Sequence, residues 1–239
     1  MRLFGNHSIL ERINSNPKTV RKIYLEIDVQ RPDIVSLAKE HHIPIEVLGH
    51  RRFQQLAQQA RAQGVIAEIE NFFYSNFDEV IDTDDAHKPT LILLDRINDP
   101  QNLGVILRNC ACLGGFCVIL PKHESVEVTE AVLRVASGAE NHLPVCLVSN
   151  LSVYLDKAKR SGYWIGATVA EGGENPRDVS LNFPLALVFG SEGEGIRPGL
   201  TKHLDYKLTI PMQGVGLSFN VAMATAMLCY EVTCQRNRK

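Results

Sequence analysis

"TLILLDRINDPQNLGVILRNC", residues 90–110, decides how this chain folds. Leu91, Ile92, Leu93 and Leu94 run without a polar break and stop at Asp95, the pattern of a strand buried on both faces of a parallel sheet. A loop rich in Asn, Asp and Gln follows. Leu103, Ile106, Leu107 and Cys110 then recur at helical spacing. A helix with those positions inward is mostly buried, and Arg108 on it is expected to need partners, because a buried guanidinium without them is costly.

The same reading repeats downstream. "FCVIL" (116–120), "LPVCLV" (143–148), "YWIGAT" (163–168), "PLALVFG" (184–190) and "YKLTIP" (206–211) are further apolar runs, and helical patterns separate most of them. Residues 89–239 are therefore expected to form an α/β domain on a mainly parallel sheet with helices on both faces. Upstream, "HSILERI" reads as a helix, "KIYLEI" as a strand, "RPDIVSLAKEHH" as a helix opening at Pro32, "PIEVL" as a strand, "RRFQQLAQQARA" as a helix and "GVIAEIE" as a strand. That is a small α/β domain over residues 1–77. Between the two, residues 78–88 read as an acidic linker.

Composition fits two such domains. The chain has 239 residues, 45% of them hydrophobic and 22% charged, ordinary for a soluble globular protein. No apolar run approaches about 18 residues, so no transmembrane helix is expected. "MRLFGNHSILERI" at the start has no apolar signal core, which points to the cytoplasm. The six cysteines fall in helical or strand segments, and no His pair completes a zinc pattern, so buried free thiols and no metal are expected.

The net charge of −2 hides an uneven distribution. Residues 1–77 carry ten Lys and Arg against eight Asp and Glu, residues 78–87 carry five acids and no Lys or Arg, and residues 88–239 carry fifteen bases against fourteen acids. Each basic cluster, such as Arg21-Lys22 or Arg51-Arg52, is by itself an ordinary solvated surface.

Three loops follow strands at the end where open α/β sheets place their ligands: "DRINDPQNLGVILRNC" (95–110), "VFGSEGEGIRPG" (188–199) and "IPMQGVGLSFN" (210–220). Gly190, Gly193 and Gly195 give G-x-x-G-x-G, the wrong order for a dinucleotide fingerprint and too late in the domain. Glu192 fits a solvated loop carboxylate as well as a functional one. Ser218 fits an N-cap of the last helix as well as a site residue, and Asn220 could satisfy local backbone groups.

Taken together, "NLGVILR" (102–108), "FGSEGEGI" (189–196) and "IPM…LSFNVA" (210–222) resemble the three ordered motifs of the SpoU (TrmH) family of RNA ribose 2′-O-methyltransferases, over residues about 90–235. "GNHSI" (5–9) and "QGVIA" (63–67) resemble the small substrate-binding domain of its ribosomal-RNA branch. The resemblance implies a SPOUT-like fold with a C-terminal trefoil knot, which topology rules alone would argue against. It also implies S-adenosylmethionine as cofactor, no metal, a homodimer, and RNA, ribosomal above all, as partner.

By the same resemblance Arg108 matches the catalytic arginine, with Asn102, Glu192, Ser218 and Asn220 as its polar support. Cofactor contacts fall on Thr168, Gly190, Ile210, Met212, Leu217 and Phe219. The reaction implied is transfer of a methyl group to a ribose 2′-oxygen, of a guanosine in 23S ribosomal RNA. Transfer RNA as substrate, or a non-catalytic RNA-binding assembly factor on the same fold, are the alternatives. Arginine is a poor base at its pKa above about 12, so gripping a phosphate and steadying the developing alkoxide suits Arg108 better.

Overall fold

The first unit opens with β1 (Arg2–Phe4), α1 (Asn6–Ser15), β2 (Val20–Glu26), α2 (Pro32–Glu40), β3 (Ile45–Leu48), α3 (His50–Ala57) and β4 (Val65–Ile69). The computed structural model describes residues 1–239 apart from 59–61, 85–86, 192, 215–216 and 239. The four strands lie in the order β1-β4-β2-β3, with β4 antiparallel to both neighbours and β2 parallel to β3. Phe53 and Ala57 of α3 pack on Phe4, Leu48 and Ile66. The helix expected over residues 51–62 ends at Ala57, where Gln58 takes a left-handed conformation (φ 47°). β1 escapes a sequence reading because three residues show no alternation.

Met1–Phe73 together with Val128–His142 make up this unit, and Tyr74–Glu127 with Leu143–Lys239 the second. The 128–142 excursion was expected inside the second domain. Its contacts are with the first: helix α6 (Glu130–Ala136) buries Val132, Leu133 and Ala136, and Glu140 forms a buried ion pair with Arg12 at 3.0 Å. The two side chains are 0% and 8% exposed. Burial pushes the Glu140 carboxyl above its ordinary pKa, against the pull of Arg12.

In the second unit α4 (Phe77–Ile81) corrects the linker reading. Asn76 caps it by accepting from the Asp78 N–H at 3.0 Å, and Phe77, Val80 and Ile81 enter the core. Phe77 meets the Tyr154 ring edge-on at 4.8 Å, and Lys157 pairs with Asp78 at 2.8 Å. Acids on one face of a short helix dominated the composition, but the other face is apolar.

The sheet comprises β5 (Thr90–Leu94), β6 (Phe116–Pro121), β7 (Val145–Val148), β8 (Trp164–Thr168), β9 (Leu185–Phe189) and β10 (Tyr206–Leu208). All are parallel, in the order β10-β8-β9-β5-β6-β7. β5, β6 and β9 are buried throughout, as continuous apolar runs require. Helix α5 (Pro100–Leu113) follows β5, α7 (Leu151–Arg160) follows β7, the short α8 (Pro198–Thr201) follows β9 and α9 (Val221–Arg236) closes the chain. Residues 169–184 join β8 to β9 without a helix. From β5 the chain steps outward through β6 to β7 and later returns to β9 on the other side of β5, so the C-terminal ends of β5 and β9 form the switch point.

All six cysteines are free thiols. Cys110, Cys117, Cys146 and Cys229 are buried, whereas Cys112 is exposed and Cys234 partly so, because they sit off the inward faces of α5 and α9. Among the described residues no helix is long and apolar enough to cross a membrane.

Candidate active site

At the switch point Asp95 directly follows β5, fully buried, with its N–H donating to the Phe189 carbonyl at 2.8 Å. Its carboxylate accepts from the Arg197 backbone N–H at 2.9 Å and from Arg197 Nε at 2.7 Å. Arg197 reaches on to Glu124 at 2.8 Å. Arg96 bonds the Glu194 carboxylate and the Gly195 carbonyl, the latter at 3.1 Å. Glu194, Gly195 and Arg197 are thereby held against the ends of two strands. Gly190 permits it: a Cβ there would lie under 3.0 Å from the Gly195 carbonyl, and Gly195 itself takes φ +65°. Asp95, Arg96 and Arg197 are not among the sequence-derived site residues. The available signal was an acid closing an apolar strand.

The second wall is made by described residues of the 210–220 stretch, Ile210, Met212, Ser218 and Phe219. Thr209, just before it, donates through Oγ1 to the Val169 carbonyl at 3.1 Å and accepts from the Gly173 N–H at 2.9 Å. Asn220 caps α9: its Oδ1 accepts from the Ala222 N–H at 2.9 Å, while its Nδ2 donates to Asn102 Oδ1 at 2.9 Å. The cap role left open for Ser218 therefore belongs to Asn220, two residues closer to the first turn.

Between these walls, at the ends of β8, β9 and β10, lies a cavity of about 340 Å³. Thr168, Gly190, Ile210, Met212, Ser218 and Phe219 line it, with Val169, Leu208 and Val221 adding apolar floor that sequence reasoning did not name. Leu217 does not line it and is 73% exposed. Glu192 lies outside the described residues. Asn102 meets Asn220 at the start of α5.

Arg108 corrects an expectation. Leu103, Ile106, Leu107 and Cys110 are buried as their spacing requires, but Arg108 falls on the opposite side of α5 and is exposed. Among the described residues no carboxylate pairs with it, whereas Arg96 and Arg197 are both held in ion pairs. The charge of Arg108 is thus available to an anion from solution. No group of three or more potential metal ligands occurs among the described residues.

This geometry can be set beside known proteins. Residues 89–230 match the SpoU rRNA Methylase family, and residues 2–75 match the RNA 2′-O ribose methyltransferase substrate-binding family. The chain belongs to the SpoU methylase family. As a SpoU methylase it is an RNA methyltransferase. A Staphylococcus haemolyticus protein assigned to the TrmH family of tRNA/rRNA methyltransferases is 34% identical, with 99% of this chain and 96% of that protein covered. A TrmH-family RNA methyltransferase structure from Porphyromonas gingivalis superposes with a TM-score of 0.80 at 25% identity, covering 100% of this chain and 90% of that one. The SpoU methyltransferase AviRb of Streptomyces viridochromogenes, solved with AdoMet, gives 0.82 at 21% identity, covering 100% and 91%. This last likeness is one of fold. The parallel α/β sheet of the second unit and the separate small N-terminal fold are those of SpoU methylases.

Proposed function

We propose that this SpoU methylase transfers the methyl group of S-adenosylmethionine to a ribose 2′-hydroxyl of RNA, that of a guanosine in 23S ribosomal RNA, as a homodimer in the cytoplasm. The observation that carries the reading is the cavity between the second and third motif loops, tied through Asn220 and Asn102 to the first, whose helix carries an arginine that no carboxylate pairs with among the described residues. AviRb, with the same fold, is described in complex with AdoMet.

The residues present fit that cofactor. Ile210, Phe219 and Val221 offer apolar surface for an adenine face, and Thr168 and Ser218 offer hydroxyls. Gly190 leaves backbone open where a side chain could not fit. Met212 and Phe219 sit at the rim, 40% and 41% exposed. When bound, the cofactor supplies an electrophilic methyl group on a sulfonium. The chain's own residues do the rest. The Arg108 guanidinium grips the phosphate beside the target ribose and steadies negative charge developing on the 2′-oxygen. Asn102 and Asn220, locked to each other, fix the starts of α5 and α9, and so the register of Arg108. Glu192 and Leu217 complete the same proposal, as does threading of the 210–220 stretch through the 190–197 loop to make a knot.

Exposed apolar side chains on α9, Met223, Met227 and Tyr230, support a second copy as partner. The match of residues 2–75 to a ribose methyltransferase substrate-binding family supports RNA as substrate, and the likeness of "GNHSI" and "QGVIA" to the ribosomal-RNA branch favours ribosomal RNA over transfer RNA. The test is transfer of labelled methyl to unmodified ribosomal RNA and to transfer RNA, with mapping of the modified ribose. Arg108→Ala should abolish transfer and spare cofactor binding, and Arg108→Lys should rescue little, since a point charge does not replace a planar fork. Near-normal turnover in the Lys variant would refute the phosphate-gripping role.

A further inference from the structure

The first unit holds a pocket of its own, about 430 Å³, that the methyl-transfer site does not use. Its floor is the part of the sheet face that α3 leaves uncovered. Strand register sets Arg2 opposite Glu68 on one side and Lys22 opposite Glu68 on the other, and Tyr24 follows two residues on from Lys22. Arg2, Glu68, Lys22 and Tyr24 therefore share one face. Leu56 and Gln58, at the end of α3, and Glu130, from the 128–142 excursion, form the walls.

The polar groups are held but not used up. Arg2 N–H donates to Glu130 Oε1 at 2.6 Å and Arg2 Nη1 to the Leu56 carbonyl at 3.0 Å, while the Tyr24 hydroxyl donates to Glu68 Oε2 at 3.2 Å. Arg2 Nη2, Glu68 Oε1 and Glu130 Oε2 have no hydrogen-bond partner among the described residues. One fork of donors and two carboxylate oxygens are left beside an aromatic ring and a leucine.

Resting on the RNA-methyltransferase reading above, we propose that this pocket takes one unpaired guanine base of the RNA substrate. Single-stranded RNA is read by bases splayed out onto aromatic side chains and bonded along their edges. Guanine places two adjacent donors, N1–H and N2–H₂, on one edge and two acceptors, O6 and N7, on another. The free oxygens of the Glu68 and Glu130 carboxylates take the first pair and the arginine fork the second. Adenine would turn ring-nitrogen acceptors toward the carboxylates, and uracil has a single ring donor. Tyr24 and Leu56 supply apolar surface for the base faces. Lys22, 5.2 Å from the centre of the Tyr24 ring and 2.7 Å from Glu46, puts a cation beside the pocket for a flanking phosphate. Glu68 is the specificity-determining residue of this reading.

The test is a titration of the full-length protein with guanosine 5′-monophosphate, followed by NMR signals of the Tyr24 ring, with adenosine 5′-monophosphate as comparison. The guanine nucleotide should shift Tyr24 and saturate at roughly tenfold or more lower concentration than the adenine one. Glu68→Gln, which keeps size and removes the second carboxylate acceptor, should erase that preference. Equal response to both nucleotides, or an unchanged preference in Glu68→Gln, overturns the proposal. Because the titration needs neither methyl donor nor turnover, it stands or fails apart from the methyl-transfer assay.

Discussion

Asp95 and Arg197 are 102 residues apart in sequence and share two hydrogen bonds, one through the Arg197 backbone and one through its guanidinium. The carboxylate is fully buried and the arginine 37% exposed, so the pair ties the turn of the 190–197 loop to the end of a core strand. Each charged hydrogen bond is worth about 1.5–3 kcal/mol. Asp95→Ala is expected to lower S-adenosylmethionine affinity at least tenfold and to lower the unfolding free energy by about 2–3 kcal/mol. Asp95→Asn, keeping one acceptor, should fall between. Calorimetry and urea unfolding read the two effects separately, and full affinity in Asp95→Ala would show that the loop holds itself.

The glycines of this loop are expected to separate sharply. A Cβ on Gly190 would collide with the backbone of Gly195 and Ile196, and backbone cannot swing aside as a side chain can. Gly190→Ala should therefore cost about 1–3 kcal/mol and remove cofactor binding. Gly193→Ala, with nothing within 4 Å of its added carbon, should leave both nearly unchanged. Equal tolerance of both substitutions would mean that residues 190–197 do not hold this turn.

Where the sequence was legible, the signal was periodicity. The unbroken run 91–94 gave a buried parallel strand, and Leu103, Ile106, Leu107 and Cys110 gave the inward face of α5 correctly. Arg108 was misjudged because four inward residues say nothing about a fifth on the other side. The acidic residues before β5 concealed Phe77, Val80 and Ile81, since net charge is an average and burial is decided one face at a time. Asn220 rather than Ser218 caps α9 because the cap is the residue next to the first turn, and both residues carry suitable oxygens. Asp95 and Arg197 were invisible for another reason. Their pairing is made by topology, across a switch point, and no local pattern encodes it.

Arg12 and Glu140 offer a test of the excursion. The pair is buried at 3.0 Å, and Arg12→Ala would leave a buried carboxylate alone, a loss of about 3–5 kcal/mol. The sign of the pH dependence follows from burial, which raises the Glu140 pKa in the folded state. The folded form then binds a proton more readily than the unfolded one, so this group's contribution is fully present below its unfolded pKa and lost as pH rises through the folded value. The Arg12→Ala deficit should shrink as pH falls from 7 toward 5, and adding Glu140→Gln should recover much of it at pH 7. A deficit independent of pH would assign the loss to packing of the arginine stem instead.

Deletion of the first unit looks like the direct way to ask what it contributes to RNA binding, but the 128–142 excursion changes the expected outcome. A chain lacking residues 1–73 keeps Val132, Leu133 and Ala136, buried at present within the unit being removed, and it keeps Glu140 without Arg12. Three apolar side chains and an unpaired carboxylate would then be presented to water. That truncation should aggregate, and its failure to methylate RNA would carry no information about recognition. Replacing residues 128–142 by a flexible Gly–Ser bridge in the same truncation removes the stranded helix and leaves the parallel sheet and all three loops intact. This second chain should be monodisperse in size-exclusion chromatography, bind S-adenosylmethionine as the full chain does, and methylate ribosomal RNA weakly. A soluble, monodisperse chain from the simple truncation would sink the excursion's assignment to the first unit. An unchanged methylation rate from the bridged chain would instead remove the first unit as the reader of the substrate.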